Sequence, residues 1–173
     1  GYAKTTTNHV AKIAGVSIGS LYQYFGNKDE LVLAIVNRHA ESMLELLRTT
    51  MIHLSDVSIE EAVRNFIDAM ISAHSVNPKL HRVCLEQILN LGLDHLLALR
   101  ETSIELVRSY LSSKKDQLVI QDIETASYVL VVTVDSVIHS AFIGDKMPDL
   151  SRLGNELTDL VLRYLGVESL SGS

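Results

Sequence analysis

Apolar residues recur along this chain in threes and fours, and the β-branched residues follow helical rather than alternating spacing. That pattern predicts amphipathic helices. Val10, Ala11, Ile13 and Ala14 give a first short helix its apolar face, with Thr6 or Thr7 as its cap. Gly15 stops it, because a left-handed cap is cheap only without a Cβ. Val16 is placed to plug the elbow, and Ser17 caps a second short helix with Leu21 and Phe25 four apart on one face. Asn27 caps a third helix, from Lys28 to about Met51, with Val32, Ile35, Val36, His39, Met43, Leu46 and Leu47 on one side. That helix is long enough to leave a small head and enter a body, so it reads as a connector.

Ser58 caps the next helix, with Glu60 and Glu61 where negative charge suits the helix dipole. Its apolar stripe is Ile59, Val63, Phe66, Ile67, Met70 and His74. Asn77-Pro78 opens another, in which Leu80, Val83, Cys84, Gln87, Ile88 and Leu91 share a side before Gly92 ends it. A helix from about Leu93 to Ser113 follows, striped by Leu96, Leu99, Leu106, Val107, Tyr110 and Leu111. Asp122 caps Ile123–Phe142, which is apolar nearly all round and therefore buried on most sides. Asp149 caps a last helix with Leu150, Leu153, Leu157, Leu160, Val161, Tyr164 and Leu165 at helical spacing, and residues 166–173 are expected to fray.

Composition narrows the class. The chain has 173 residues, 47% hydrophobic, with two prolines, which fits an all-α fold with a sizeable core. A net charge of −6 argues at first against nucleic acid. The charge is uneven, however: residues 1–30 hold Lys4, Lys12 and Lys28 against Asp29 and Glu30, so the head is mildly basic on an acidic body. Only the face near phosphate needs positive potential. Cys84 is the single cysteine, which excludes an internal disulfide framework and a paired-cysteine metal site. A reducing cytoplasm is the simplest compartment. Tyr128, Thr133, Asp135, Ser136 and His139 make Ala126–Ile143 too polar for a lone membrane span.

Two short helices joined by a glycine turn, the second with a polar outer face, form a helix-turn-helix pattern. The residues Thr6-Thr7, Val10-Ala11, Ala14-Gly15-Val16-Ser17, Gly19, Leu21-Tyr22, Tyr24-Phe25 and Lys28 closely resemble the tetracycline-repressor (TetR) family of transcriptional regulators. At motif level the resemblance covers roughly residues 1–45. It implies a DNA-binding head at 1–46, without the family's usual first helix, and an effector-binding and dimerisation body at 47–173. It also implies that Thr7, Ser17, Ser20, Tyr24 and Lys28 hold phosphates while Ile18, Gly19, Tyr22 and Gln23 approach base edges. The chemistry allows it: glutamine pairs with adenine, an aliphatic group touches a thymine methyl, and hydroxyls at helix N-termini bind phosphate.

Other patterns compete. Gly15-Val16-Ser17-Ile18-Gly19 fits the nucleophile elbow of serine hydrolases, but that elbow needs a strand before the serine and a helix is expected there. His81 and Cys84 lie three apart, yet zinc wants four converging ligands, so a solvated histidine and a small core cysteine are the better reading. Asp135 and His139 lie four apart on an apolar helix, as a self-satisfied pair, a pair facing the dimer seam, or a polar anchor in a ligand cavity. Phe66, Met70, His74, Gln87, Tyr110, Thr133 and Asp135 are the pocket candidates. Val129, Leu153, Leu157, Leu160, Val161 and Tyr164 are the candidates for a two-fold dimer seam, which would present two reading helices to a palindrome.

The sequence therefore predicts a ligand-responsive repressor, not an enzyme. Its partners are double-stranded operator DNA, a small-molecule effector and a second copy of itself, with no cofactor, metal or membrane. The alternative is a helical protein-interaction module whose head reads no DNA.

Overall fold

The computed structural model describes residues 5–54, 56–80, 82–84, 94–143 and 146–167, all helix, turn or loop with no strand among them. Seven helices are numbered in chain order. They are α1 Thr7–Ala14, α2 Ile18–Tyr24, α3 Lys28–His53, α4 Ile59–Val76, α5 Asp94–Ser113, α6 Ile123–Ile143 and α7 Leu150–Leu165. Residues 78–80 and 82–84 are also helical. Gln87, Ile88, Leu91 and Gly92 lie outside the described residues, as do His81 and 168–173.

The caps explain the starts and stops. Thr6 accepts from the His9 N–H, Ser17 from Ser20, Asn27 from Glu30, Ser58 from Glu61, and Asp149 from Ser151 and Arg152. Asp122 accepts from the Thr125 N–H at 3.0 Å. Ahead of α3 the capping is reciprocal, since Glu30 reaches back to accept from the Gly26 N–H at 2.8 Å and from Asn27 Nδ2 at 2.9 Å. α1 and α7 both end in a left-handed glycine, Gly15 and Gly166, whose N–H groups return to carbonyls of the last turn.

The body core is a cluster of α4, α6 and α7 side chains joined by Leu111 of α5. Ile67, Ile138, Leu162 and Leu165 are almost wholly enclosed. Burying side chains of this kind is worth about 1.5–3 kcal/mol each. Two buried hydroxyls are satisfied within their own helix. Ser127 donates to the Ile123 carbonyl at 2.7 Å, and Thr158 to that of Gly154 at 2.8 Å. α6 is long and apolar enough to cross a membrane, with mean hydropathy 1.6. Here its Ala126, Ser127, Leu130, Val134, Ile138, Ala141 and Phe142 are instead buried in the bundle.

The connector α3 carries both ends of the molecule. Its N-terminal turn follows α2, and farther along it packs on α4 and α5. Its 26 residues span about 39 Å at 1.5 Å per residue. The head–body division expected at residue 46 falls inside this one helix.

Candidate functional site

Among the described residues of the head, Ala11 of α1, Leu21 of α2 and Val36 of α3 are buried, 3%, 8% and 4% exposed. Gly15 takes φ 69°, which turns the chain between α1 and α2, and Val16 N–H bonds back to the Ala11 carbonyl at 3.1 Å. Two expectations fail here. Val16 does not plug the elbow, being 45% exposed, and Ile13 is 74% exposed instead of joining an apolar face. The physical reason is that α1 turns Ala11 toward α2, while Ile13, about 200° farther round the helix, points away.

α2 then presents everything except Leu21. Ile18 and Tyr22 are 37% and 49% exposed, Tyr24 is 80% exposed, and Gly19, Ser20 and Gln23 are exposed beside them. Thr7 and Lys28 are half-buried. Two hydroxyl pairs organise this surface. The Ser17 hydroxyl, besides capping Ser20 N–H at 2.9 Å, pairs with the Ser20 hydroxyl at 2.8 Å. The Thr7 hydroxyl pairs across the turn with that of Tyr22 at 3.0 Å. The family resemblance implies a phosphate contact for Thr7 and a base contact for Tyr22, and phosphate contacts for both Ser17 and Ser20; the fold joins Thr7 to Tyr22 and Ser17 to Ser20. Ser17 also follows a helix, not a strand, so the nucleophile-elbow motif lacks its required context.

The family assignment is decided by sequence profiles matching both halves of the chain. Residues 1–35 match the profile "Bacterial regulatory proteins, tetR family", and residues 58–165 match "Tetracyclin repressor-like, C-terminal domain". The chain belongs to the TetR family of transcriptional regulators. Regulators of this family are non-enzymatic DNA-binding proteins. Among relatives, the chain is 24% identical to the fatty acid metabolism regulator protein of Bacillus subtilis (strain 168), covering 94% of this chain and 86% of that one. Its fold resembles the fatty acid degradation regulator FadR of Bacillus halodurans, with TM-score 0.74, 22% identity, and coverage of 94% and 86% of the two chains. It also resembles a TetR-family regulator of Rhodococcus RHA1, with TM-score 0.74, 19% identity, and coverage of 98% and 90%.

In the TetR-type body two features stand out. The first is a cavity of about 70 Å³ where α3 to α7 meet. α3 contributes Met51 and its C-cap residue Leu54, and α4 contributes Ala62, Val63, Phe66 and Ile67. α5 contributes Val107, Tyr110 and Leu111, α6 contributes Leu130, Val131 and Val134, and α7 contributes Val161 and Leu165. Of the pocket candidates, Phe66 and Tyr110 line this space. Met70 packs half-buried against the core, and Thr133 is half-buried on α6 outside the lining. Gln87 lies outside the described residues.

The second feature is a polar knot holding His74 and Asp135. His139 Nδ1 lies 3.2 Å from Asp135 Oδ1, and Arg100 reaches to 4.0 Å from Oδ2. His74 is 2% exposed, bonds the Met70 carbonyl through Nδ1 at 2.6 Å, and meets the His139 ring edge-on at 5.0 Å. Burial pushes the His74 imidazole below its usual pKa, with His139 and His39 adding to that and the Met70 carbonyl and Asp135 opposing it. His39 of α3 is lowered by burial and then by His139. Four helices thus meet at one group of three imidazoles, a carboxylate and a guanidinium. The i, i+4 spacing of Asp135 and His139 was visible in the sequence; the arrival of His39, His74 and Arg100 was not.

Cys84 is 2% exposed and burial raises its thiol pKa, the environment of a packing residue. Among the described residues no group of three or more histidine, cysteine or acidic side chains is arranged to hold a metal. The candidate seam divides. Leu157 and Val161 point into the protomer's own core at 3% and 6% exposure, and Leu153 packs half-buried against it. Val129, Leu160 and Tyr164 remain on the surface at 38%, 48% and 39%. A helix face of about 100° fills the core, and the neighbouring positions are left outside.

Proposed function

We propose that this TetR-family regulator represses transcription as a homodimer on palindromic operator DNA and is released by a small-molecule effector held in the body cavity. The observation that carries the reading is the unbroken α3. Its N-terminal end holds the exposed reading helix, and its C-terminal end supplies Met51 and Leu54 to the cavity wall. An occupant that pushes Met51 and Leu54 outward tilts a rod about 39 Å long and displaces the head at its far end. Release follows only if the occupant binds the tilted state more tightly than the DNA-bound one.

Ile18, Gly19 and Gln23 approach base edges in this reading. The paired hydroxyls of Thr7 with Tyr22 and Ser17 with Ser20, together with Tyr24 and Lys28, face the phosphates. Val129 of α6 and Leu160 and Tyr164 of α7 supply the apolar part of the seam. DNA binding places the protein in the cytoplasm with the chromosome. Solved relatives include SmeT of Stenotrophomonas maltophilia in complex with triclosan, with TM-score 0.68, which lends support to a small apolar effector.

The test is fluorescence anisotropy of the full-length protein on upstream promoter fragments. Binding should fall steeply with salt, and Gln23→Ala should lose affinity with reduced discrimination between operators. Absence of binding at low salt to every upstream fragment favours the protein-interaction module instead.

A further inference from the structure

The chemistry of the cavity wall defines a ligand class, given that the cavity is the effector site. Apart from Tyr110, each lining side chain among the described residues is hydrocarbon or thioether, with no charge and no amide. A charged group placed there loses its hydration with nothing to replace it. Tyr110 is the exception. It forms part of the wall, and its phenolic oxygen is sealed from solvent without a hydrogen-bond partner among the described residues. A buried hydroxyl in that state is destabilised until a partner arrives. Burial also raises the Tyr110 pKa, so the phenol stays protonated and able to donate. Met51 and Phe66 border the space, and a thioether adapts readily to irregular occupants.

We infer that the cavity selects neutral, hydrocarbon-rich molecules carrying a single hydrogen-bonding group, and that Tyr110 is the residue that recognises this group. Aliphatic bulk fills the space among Phe66, Val107 and Val134, while a small swing of the Tyr110 ring brings its hydroxyl to the ligand's oxygen. Tyr110 thereby sets specificity, and the surrounding apolar residues set affinity. Carboxylates and ammonium ions of equal size are excluded by their hydration.

The experiment uses 1-butanol, n-pentane and butyrate as probes, with binding read from methyl NMR shifts of the full chain in the absence of DNA. In the native protein butyrate should bind at least tenfold more weakly than 1-butanol. In Tyr110→Phe the affinity ratio of n-pentane to 1-butanol should rise about tenfold, because one hydrogen bond to the alcohol is gone. An unchanged ratio overturns the role of Tyr110, and butyrate binding within threefold of 1-butanol overturns the exclusion of charge. The butyrate comparison needs no variant, so it stands even if Tyr110→Phe folds poorly. Operator release is measured separately by anisotropy. Probe binding without release removes the effector assignment and leaves the cavity's selectivity in place.

Discussion

Gly15 and Gly166 end α1 and α7 with nearly the same left-handed backbone, φ 69° and 73°, but in different surroundings. A methyl group added at Gly15 meets nothing within 4 Å. Gly15→Ala therefore suffers only the left-handed strain, about 1 kcal/mol. A methyl group at Gly166 suffers the same strain and also overlaps Val119, lying 2.5 Å from Cγ1 and 2.8 Å from Cβ. Rotating the Val119 side chain moves the γ carbons but not the β carbon. The Val119 backbone is itself tied down, since its N–H donates to the Leu165 carbonyl at 3.1 Å. Relieving the overlap thus costs an additional 1–3 kcal/mol or so, as for overpacked cores. Gly166→Ala should lose roughly 2–4 kcal/mol in total. Val119 is 64% exposed, so Val119→Ala alone should cost under about 0.5 kcal/mol. Placed on Gly166→Ala, it should restore part of the loss by removing the γ carbons. Urea unfolding followed by far-ultraviolet circular dichroism measures all four proteins. The reasoning is refuted if Gly166→Ala is no less stable than Gly15→Ala, or if Val119→Ala restores nothing.

Three further outcomes are expected. Thr7→Val and Tyr22→Phe each break the same 3.0 Å hydroxyl pair, so their losses in operator affinity should be clearly less than additive in a double-mutant cycle; additive losses would show two independent contacts. Ile138→Ala, at a position 0% exposed in the body core, should destabilise by about 2–5 kcal/mol, and a thermal melt within about 1 °C of the native protein would contradict that. The lowered pKa of His74 means that the unfolded chain binds protons more readily than the fold, so stability is fully present above pH 6.5 and declines as pH falls below it. Urea midpoints between pH 7.5 and 5 should show the decline, and His74→Leu should flatten it; an equal slope in both proteins would acquit His74.

The caps were legible in the sequence because each depends on residues within four positions of one another, and the head motif because it lies within one short stretch, Thr6 to Lys28. Ser17, Asn27, Ser58, Asp122 and Asp149 cap the helices expected of them, and Gly15 turns left-handed where a helix had to stop. The last helix shows where such reading weakens. Its stripe from Leu150 to Leu165 offered candidates both for the protomer core and for a dimer seam, but not which positions turn inward. Packing on α4 drew Leu157 and Val161 inward and left Leu160 and Tyr164 outside.

By itself, then, the order of residues determined helix ends, the all-α class and the helix-turn-helix head, since propensity, capping and periodicity act over one or two turns. Only the tertiary structure decided that Thr7 holds Tyr22, that His39, His74 and Arg100 join the Asp135–His139 pair, and that Met51 and Tyr110 border the same space. Those meetings depend on the angles at which the six helices α1 to α6 cross, and the angles are set by side-chain packing summed over many residues rather than by any local stretch of chain.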